Sequence, residues 1–327
     1  MTRVLVGTYA AKGGAGLVPL AHDPGTGRWS ASDAVARAPN ASFGVASARF
    51  GHRYLVDEEA GTVAAYDRDG ARLAEVESGA APCHLALSAD ERRLAAANYA
   101  EGSVTLFPLD ERGLPTAGET WRNRGRGLDA ERQEGPHAHW VGFRGDDLLC
   151  VDLGTDRILA HPATGPDVPR TVYAAPPGSG PRHLAFHPAL PLAYLVSELA
   201  STLTVLRVAG PVLEAAAILS TLPHGVDADS LGGAIAIDAG ARLLHVTNRG
   251  HDSIASFALD GEGMPRPLGH VPSGGRSPRF LLPLADHVLV AHEEGGGVAA
   301  VRRGADGRPV GAPVMIDVPG AAFLMEE

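Results

Sequence analysis

The stretch RLAAANYAEGSVTLFPLD, residues 93 to 110, decides the fold. It reads as an apolar strand ending in a small polar residue, Asn98, then a glycine or serine turn, then a second alternating strand. The same order of parts returns in DLLCVDLGTDRILAHP (147–162), LAYLVSELASTLTVLRV (192–208) and RLLHVTNRGHDSIASFALD (242–260), with Asp152, Glu198 and Asn248 at the strand end. Weaker copies stand at RYLVDEEAGTVAAYD with Glu58, HVLVAHEEGGGVAAVRR with His292 and RVLVGTYAAKGGAGLVPL with Thr8. Neighbouring copies lie 40 to 54 residues apart, the length of a four-stranded propeller blade.

A further strand precedes each copy but the first, often entered through proline and a basic or imidazole residue, as in PCHLALS (82–88), PHAHWVGF (136–143), PRHLAFHP (181–188) and SPRFLLP (277–283). Only Met1 and Thr2 precede the strand of the first copy, so its partner must come from PGAAFLMEE (319–327) at the other end of the chain. The expectation is an all-β, seven-bladed β-propeller, a single domain over residues 1–327, closed by pairing of the N- and C-terminal strands so that no sheet edge stays open.

Composition agrees with this. Gly 41, Pro 25 and 5% aromatic residues describe a turn-dense chain, and helical periodicity is sustained nowhere. Nearly all of it should be strand, with Trp121 to Gly135 as the only long irregular insertion. Cys83 and Cys150 form neither a disulfide framework nor a metal site and read as buried, reduced thiols. MTRVLVGTY enters a strand with no apolar leader, from which a cytoplasmic location is expected. The net charge of −10 argues against nucleic acid and membrane partners, and a monomer is expected. There is no HExxH, cysteine pair or EF-hand loop, so neither metal nor cofactor is implied. GGAG (13–16) and GGG (295–297) lie in turns between strands and are not phosphate loops.

Topology alone places a site. The first and second strands of a blade run antiparallel, so the start of one and the end of the other share one mouth of the ring. That mouth receives His84, His137, His139, Arg182, His183 and Arg279 from inner strands, and Asn98, Asp152, Glu198, Asn248 and Arg249 from second-strand ends. Lys12 is the only lysine of the chain, so anion binding must rest on arginine.

At these residues the chain resembles a known family. PCHLALSADERRLAAANYAEGSV, ERQEGPHAHWV, DLGTDR, PGSGPRHLAFHP, SELASTLTVL and NRGHDSIASF look like successive motifs of the propeller-type lactonases, which include bacterial 6-phosphogluconolactonases and are similar to fungal carboxymuconate cyclases. The resemblance covers nearly the whole chain and keeps the motif order. It implies a central pocket for a small anionic lactone. It carries the functional histidine to His137 or His139, the arginines to Arg182 and Arg249, and the glutamate to Glu198. Two departures stand out: Arg279 is followed directly by Phe280, and Ala291-His292-Glu293 replaces a small residue and asparagine.

Lactone hydrolysis needs a base for the attacking water, donors for the oxyanion and an acid for the leaving alkoxide. Glu198 is the candidate base if burial lifts its pKa toward neutrality, with a salt bridge to Arg182 as the alternative role. His137 or His139 is the candidate acid or oxyanion donor. Arg182 and Arg249 suit a bidentate grip on phosphate or carboxylate. Arg132 and Gln133 precede PHAH and are placed either to cover the pocket or to stand as solvated loop residues. His84, Asn98, Arg132, Asp152, His183, Asn248 and Arg279 are the candidate substrate contacts, Arg279 with a blade-to-blade bridge as the stronger alternative. The expected substrate is 6-phosphogluconolactone, against a muconate-type cyclase and a non-catalytic interaction platform.

Overall fold

The computed structural model describes residues 2–162, 169–226 and 228–327. Among them the strands form seven four-stranded antiparallel sheets. Blade 1 joins Ala321–Glu326 to Thr2–Thr8, Val18–Asp23 and Arg28–Ala31. Blades 2 to 7 begin with the inner strands Gly44–Ala46, Pro82–Leu87, Ala138–Arg144, Pro181–Phe186, Leu231–Ile237 and Pro278–Pro283, and each continues outward in chain order. The terminal strand pairs antiparallel with the first, Leu5 opposite Met325 and Val6 opposite Leu324, as the missing inner strand required.

Apolar residues fill the spaces between blades. Leu149, Val151 and Ile158 of blade 4 pack on Leu195, Leu206 and Leu213 of blade 5. At the closure, Val4, Val6 and Leu324 of blade 1 meet Leu289, Ala291 and Val298 of blade 7. Both faces of a middle strand are therefore covered by a neighbour, which is why those strands read as continuous apolar runs.

Two expectations about irregular segments need correction. Trp121 belongs to the strand Glu119–Arg122, so the long insertion starts at Asn123. It is also not alone: residues 32–43 cross from blade 1 to blade 2 without a strand, and Ala10–Lys12 forms a short 3₁₀ turn.

Deleting Pro319 to Glu327 removes the buried side chains Ala321, Ala322, Phe323 and Leu324 and exposes the edge of blade 1. Each large apolar loss costs about 2–5 kcal/mol. The truncated protein should melt on the order of 10 °C or more below the full chain in a thermal scan. Equal melting would show that the ring does not depend on this strand.

Candidate functional site

Two regularities of the blades build the mouth. The first is a slip of register near the start of the inner strand, between Pro82 and His84, Ala138 and Trp140, Pro181 and His183, and Pro278 and Phe280. Each slip leaves one extra residue: Cys83, His139, Arg182 and Arg279. A bulge of this kind bends the strand and re-aims a side chain. In three of these blades the residue before the proline is left-handed, Ala81 at φ 55°, Gly180 at 59° and Ser277 at 56°. Only Gly180 adopts this without strain, so the turn into Arg182 is the relaxed one.

The second regularity concerns the end of the second strand, where side chains alternate between two destinations. Register aligns Asp57, Asn98, Asp152, Ser197 and Asn248 as equivalents, which corrects the expectation that Glu58 and Glu198 end their strands. The terminal residues bond within their own blades and to the segment that leaves the outermost strand of the preceding blade. Asn98 donates to Ser103 and Thr105 and accepts from Ser78. Asp152 accepts from Asn123 and from the backbone N–H of His137 and Thr155. Asn248 accepts from Thr221 and donates to Ser253. The residue one step later belongs to the mouth: Tyr9, Glu58, Tyr99, Glu198, Arg249 and Glu293.

Three arginines converge on one of these. Glu198 Oε2 accepts from Arg182 Nε at 3.0 Å and lies 2.5 Å from Arg249 Nη2, while Oε1 accepts from Arg132 Nη2 at 2.5 Å. Glu198 and Arg182 side chains are each 2% exposed, Arg249 12% and Arg132 36%, so the group is graded from buried to open. Arg182 Nη1 also donates to Gly233 O at 2.9 Å, and Arg249 Nη2 to Gly232 O at 3.1 Å. Arg249 Nε is buried with no partner.

Arg132 comes from the long insertion, and Gln133 fixes that insertion in place. Its side-chain amide donates to Leu153 O and Asp156 Oδ1, and its carbonyl accepts from the backbone of Leu128 and Asp129. Gln133 is fully buried. It positions Arg132 and does not itself cover the pocket.

These charges set the protonation states. Burial pushes the Glu198 carboxyl up, but Arg249, Arg182 and Arg132 outweigh it and hold the group well below the usual carboxylate range. The expected lift toward neutrality does not occur. Burial and the neighbouring Arg249 pull Arg182 down to about 9, still charged at neutral pH. Burial and Arg182 hold the imidazoles of His139 and His183 well below their ordinary range, and the same causes bring His84 down to about 3. All three are neutral at physiological pH.

The two candidate histidines differ in what they offer. His137 places Nδ1 3.0 Å from Tyr99 O and Nε2 3.1 Å from Glu134 Oε1, so both nitrogens face oxygen acceptors and neither lone pair is open to water. His139 lies with Nδ1 3.9 Å from Cys83 Sγ, and its Nε2 makes no hydrogen bond among the described residues. Its ring packs edge-on to Tyr99 and His183.

The structure thus brings together Glu198, Arg182, Arg249, Arg132, His139 and His183. It removes Asn98, Asp152 and Asn248 from the substrate contacts, because all three are fully buried and use their side chains to tie adjoining blades together. His84 tilts against Phe43 with ring centroids 4.0 Å apart and packs edge-on to His183 at 5.5 Å. Arg279 belongs to a separate cluster with Glu293 at 3.1 Å and Glu58 at 3.7 Å, the bridge anticipated for it. Tyr9, Tyr99, Glu58 and Glu293 were missed as site residues. Counting one residue past the true strand end in every copy would have found them. Hollows of about 650, 680 and 770 Å³ flank the same mouth, lined in turn by the Arg132 loop, by Lys12 with Glu293, and by Glu58 with Glu77.

Comparison with known proteins follows this geometry. The family described as Lactonase, 7-bladed beta-propeller matches residues 3–322. A 6-phosphogluconolactonase of Bacillus subtilis is 30% identical over 333 residues, covering 96% of this chain and 95% of its own. Among solved structures, a putative 6-phosphogluconolactonase from Bacteroides fragilis superimposes with a TM-score of 0.85 at 26% identity, over 100% of this chain and 98% of its own. The Pseudomonas aeruginosa periplasmic gluconolactonase PpgL superimposes with a TM-score of 0.89 at 24% identity, over 99% and 98%. That protein overturns the cytoplasmic location expected here, since the same fold works in the periplasm and a strand-first N-terminus does not decide the compartment.

Glu198→Gln tests the charge arrangement. It keeps the shape but leaves buried Arg182 facing Arg249 without a counter-charge. Loss of one partner of a buried pair costs about 3–5 kcal/mol, which denaturant titration should resolve. A variant as stable as wild type would mean that the carboxylate is not the counter-ion of these arginines.

Proposed function

The chain belongs to the seven-bladed β-propeller lactonase family, and from that premise we propose that it hydrolyses an anionic sugar lactone, 6-phosphogluconolactone to 6-phosphogluconate. One observation carries this: a chain of net charge −10 gathers Arg132, Arg182 and Arg249 around the single carboxylate of Glu198. A local excess of positive charge in a half-buried mouth is an anion trap that the rest of the surface does not supply. The name of the Bacillus relative agrees with the chemistry.

Arg132 and Arg249 are the exposed members of the trio and grip the phosphate. Arg182, behind Glu198, orients the carboxylate instead of touching the anion. Glu198 has both oxygens engaged by arginines, so it offers no open site for a proton from water and acts as the fixed counter-ion that keeps three like charges together.

The base in this proposal is His139, whose Nε2 is free. Water attacks the acyl carbon as Nε2 takes its proton; collapse of the tetrahedral intermediate breaks the ring C–O bond, and the imidazolium returns the proton to the departing alkoxide. The lactone has become an acid and an alcohol, with one water consumed and His139 neutral again.

Arg132→Ala and Arg249→Ala should each raise KM roughly 30-fold, the equivalent of about 2 kcal/mol for a lost charged hydrogen bond, with a smaller change in kcat. The readout is 6-phosphogluconolactone hydrolysis above its spontaneous rate. No wild-type rate above that background would sink the hydrolase proposal. Unchanged KM in both variants would mean that the phosphate sits elsewhere.

His139→Asn should lower kcat by about two orders of magnitude. The pH profile adds a sign. His139 acts as base only when neutral, and its pKa is depressed, so wild-type kcat should stay level as pH falls through 6.5 and drop only at lower pH. A limb centred near 6.5 would point to a histidine in an ordinary environment and away from His139.

A further inference from the structure

The half of the mouth built by blades 7, 1 and 2 has no part in the chemistry above, yet it is as organised as the other half. Arg279, from the bulge of blade 7, reaches Glu293 of its own blade and Glu58 of blade 2. Tyr9 of blade 1 stands between them and donates its hydroxyl to Glu58 Oε2 at 2.8 Å. The Arg279 guanidinium lies 5.6 Å from the centre of the Tyr9 ring. Burial raises the Tyr9 phenol well above its usual range, so it remains a donor, and Glu293 is pulled down to about 2, against burial, by Arg279, Lys12 and Arg249.

Glu58 is held by one oxygen and open on the other, while Glu293 is held on the inner side by Arg279 and on the outer side only by the exposed Lys12. Glu58 uses Oε2 for both Tyr9 and Arg279, and its Oε1 has no partner among the described residues. Glu293 gives Oε2 to Arg279, and its Oε1 meets only the exposed Lys12, at 3.4 Å. The side chains keep 25% and 21% of their surface exposed, and each lines one of the hollows at the mouth. Arg279 and Lys12 balance the two carboxylates and leave this half with no surplus of cation, opposite a half with an excess of cations.

Half-open carboxylates are suited to hydroxyl groups: an oxygen with no firm protein partner accepts an O–H. They repel a second anion. Resting on the hydrolase proposal, we infer that Glu58 and Glu293 accept hydrogen bonds from the ring hydroxyls of an aldonolactone whose phosphate lies across the mouth on Arg132 and Arg249. Specificity then has two poles: one anionic group and a polyhydroxylated ring. A lactone with a second carboxylate in place of hydroxyls, as a muconate-type substrate has, meets like charge there.

The test compares 6-phosphogluconolactone with a phosphate-bearing δ-lactone of the same ring size that lacks ring hydroxyls, in wild type, Glu58→Gln and Glu293→Gln. Wild type should prefer the hydroxylated lactone by tenfold or more in kcat/KM after background subtraction. Each variant should lose at least tenfold more on the hydroxylated lactone than on the other. Equal losses on both lactones would overturn the inference and make the cluster a structural bridge, with the hydrolase proposal intact. If Glu58→Gln does not fold, Glu293→Gln decides alone, because it leaves Arg279 with Glu58 and Tyr9. Absence of wild-type rate on both lactones would remove the hydrolase proposal and this inference with it.

Discussion

The chemistry of the mouth depends on Glu198 being unable to give up its charge. Three guanidinium groups from blades 5 and 6 and from the insertion before blade 4 would repel one another strongly in a half-buried space; one carboxylate between them makes the arrangement stable and still leaves a surplus of cation. The same contacts that hold the arginines disqualify Glu198 as a base. Its role and its protonation state are one fact seen twice, and the proposed mechanism therefore takes its base from His139, which burial and Arg182 keep neutral.

The backbone supplies this arrangement through two small devices repeated around the ring. A one-residue slip turns a side chain of the inner strand toward the mouth, and a one-residue overshoot at the end of the second strand adds another. Different residue types at the same two positions give each blade its own contribution: Cys83 and Tyr99 in blade 3, Arg182 and Glu198 in blade 5, Arg279 and Glu293 in blade 7. Function can thus vary on this scaffold without any change in the cores between blades.

Most of the architecture was legible in the chain, because seven copies of one pattern and a missing inner strand admit few closures. The trio of Arg182, Glu198 and Arg249 was legible too, since strand polarity sends them to one mouth. What failed was the phase of a single residue. Asn98, Asp152 and Asn248 look equivalent to Glu198 in the repeat, but alternation along a strand sends them into their blades and Glu198 into the mouth. The expected rise of the Glu198 carboxyl failed for a different reason: burial alone raises a carboxylate, and the number of arginines that reach it is a three-dimensional quantity. Arg132 arrives from an irregular loop whose fold is set by Gln133, and no periodic pattern reports that.

The most direct measurement is a crystal structure with 6-phosphogluconate bound. The two-pole account predicts the phosphate on Arg132 and Arg249, the hydroxyls on Glu58 and Glu293, and the carboxylate carbon, the former acyl centre, within reach of His139 Nε2. A ligand seated with its phosphate beside Glu58 and Glu293, or in a hollow at the rim with the mouth empty, would contradict it.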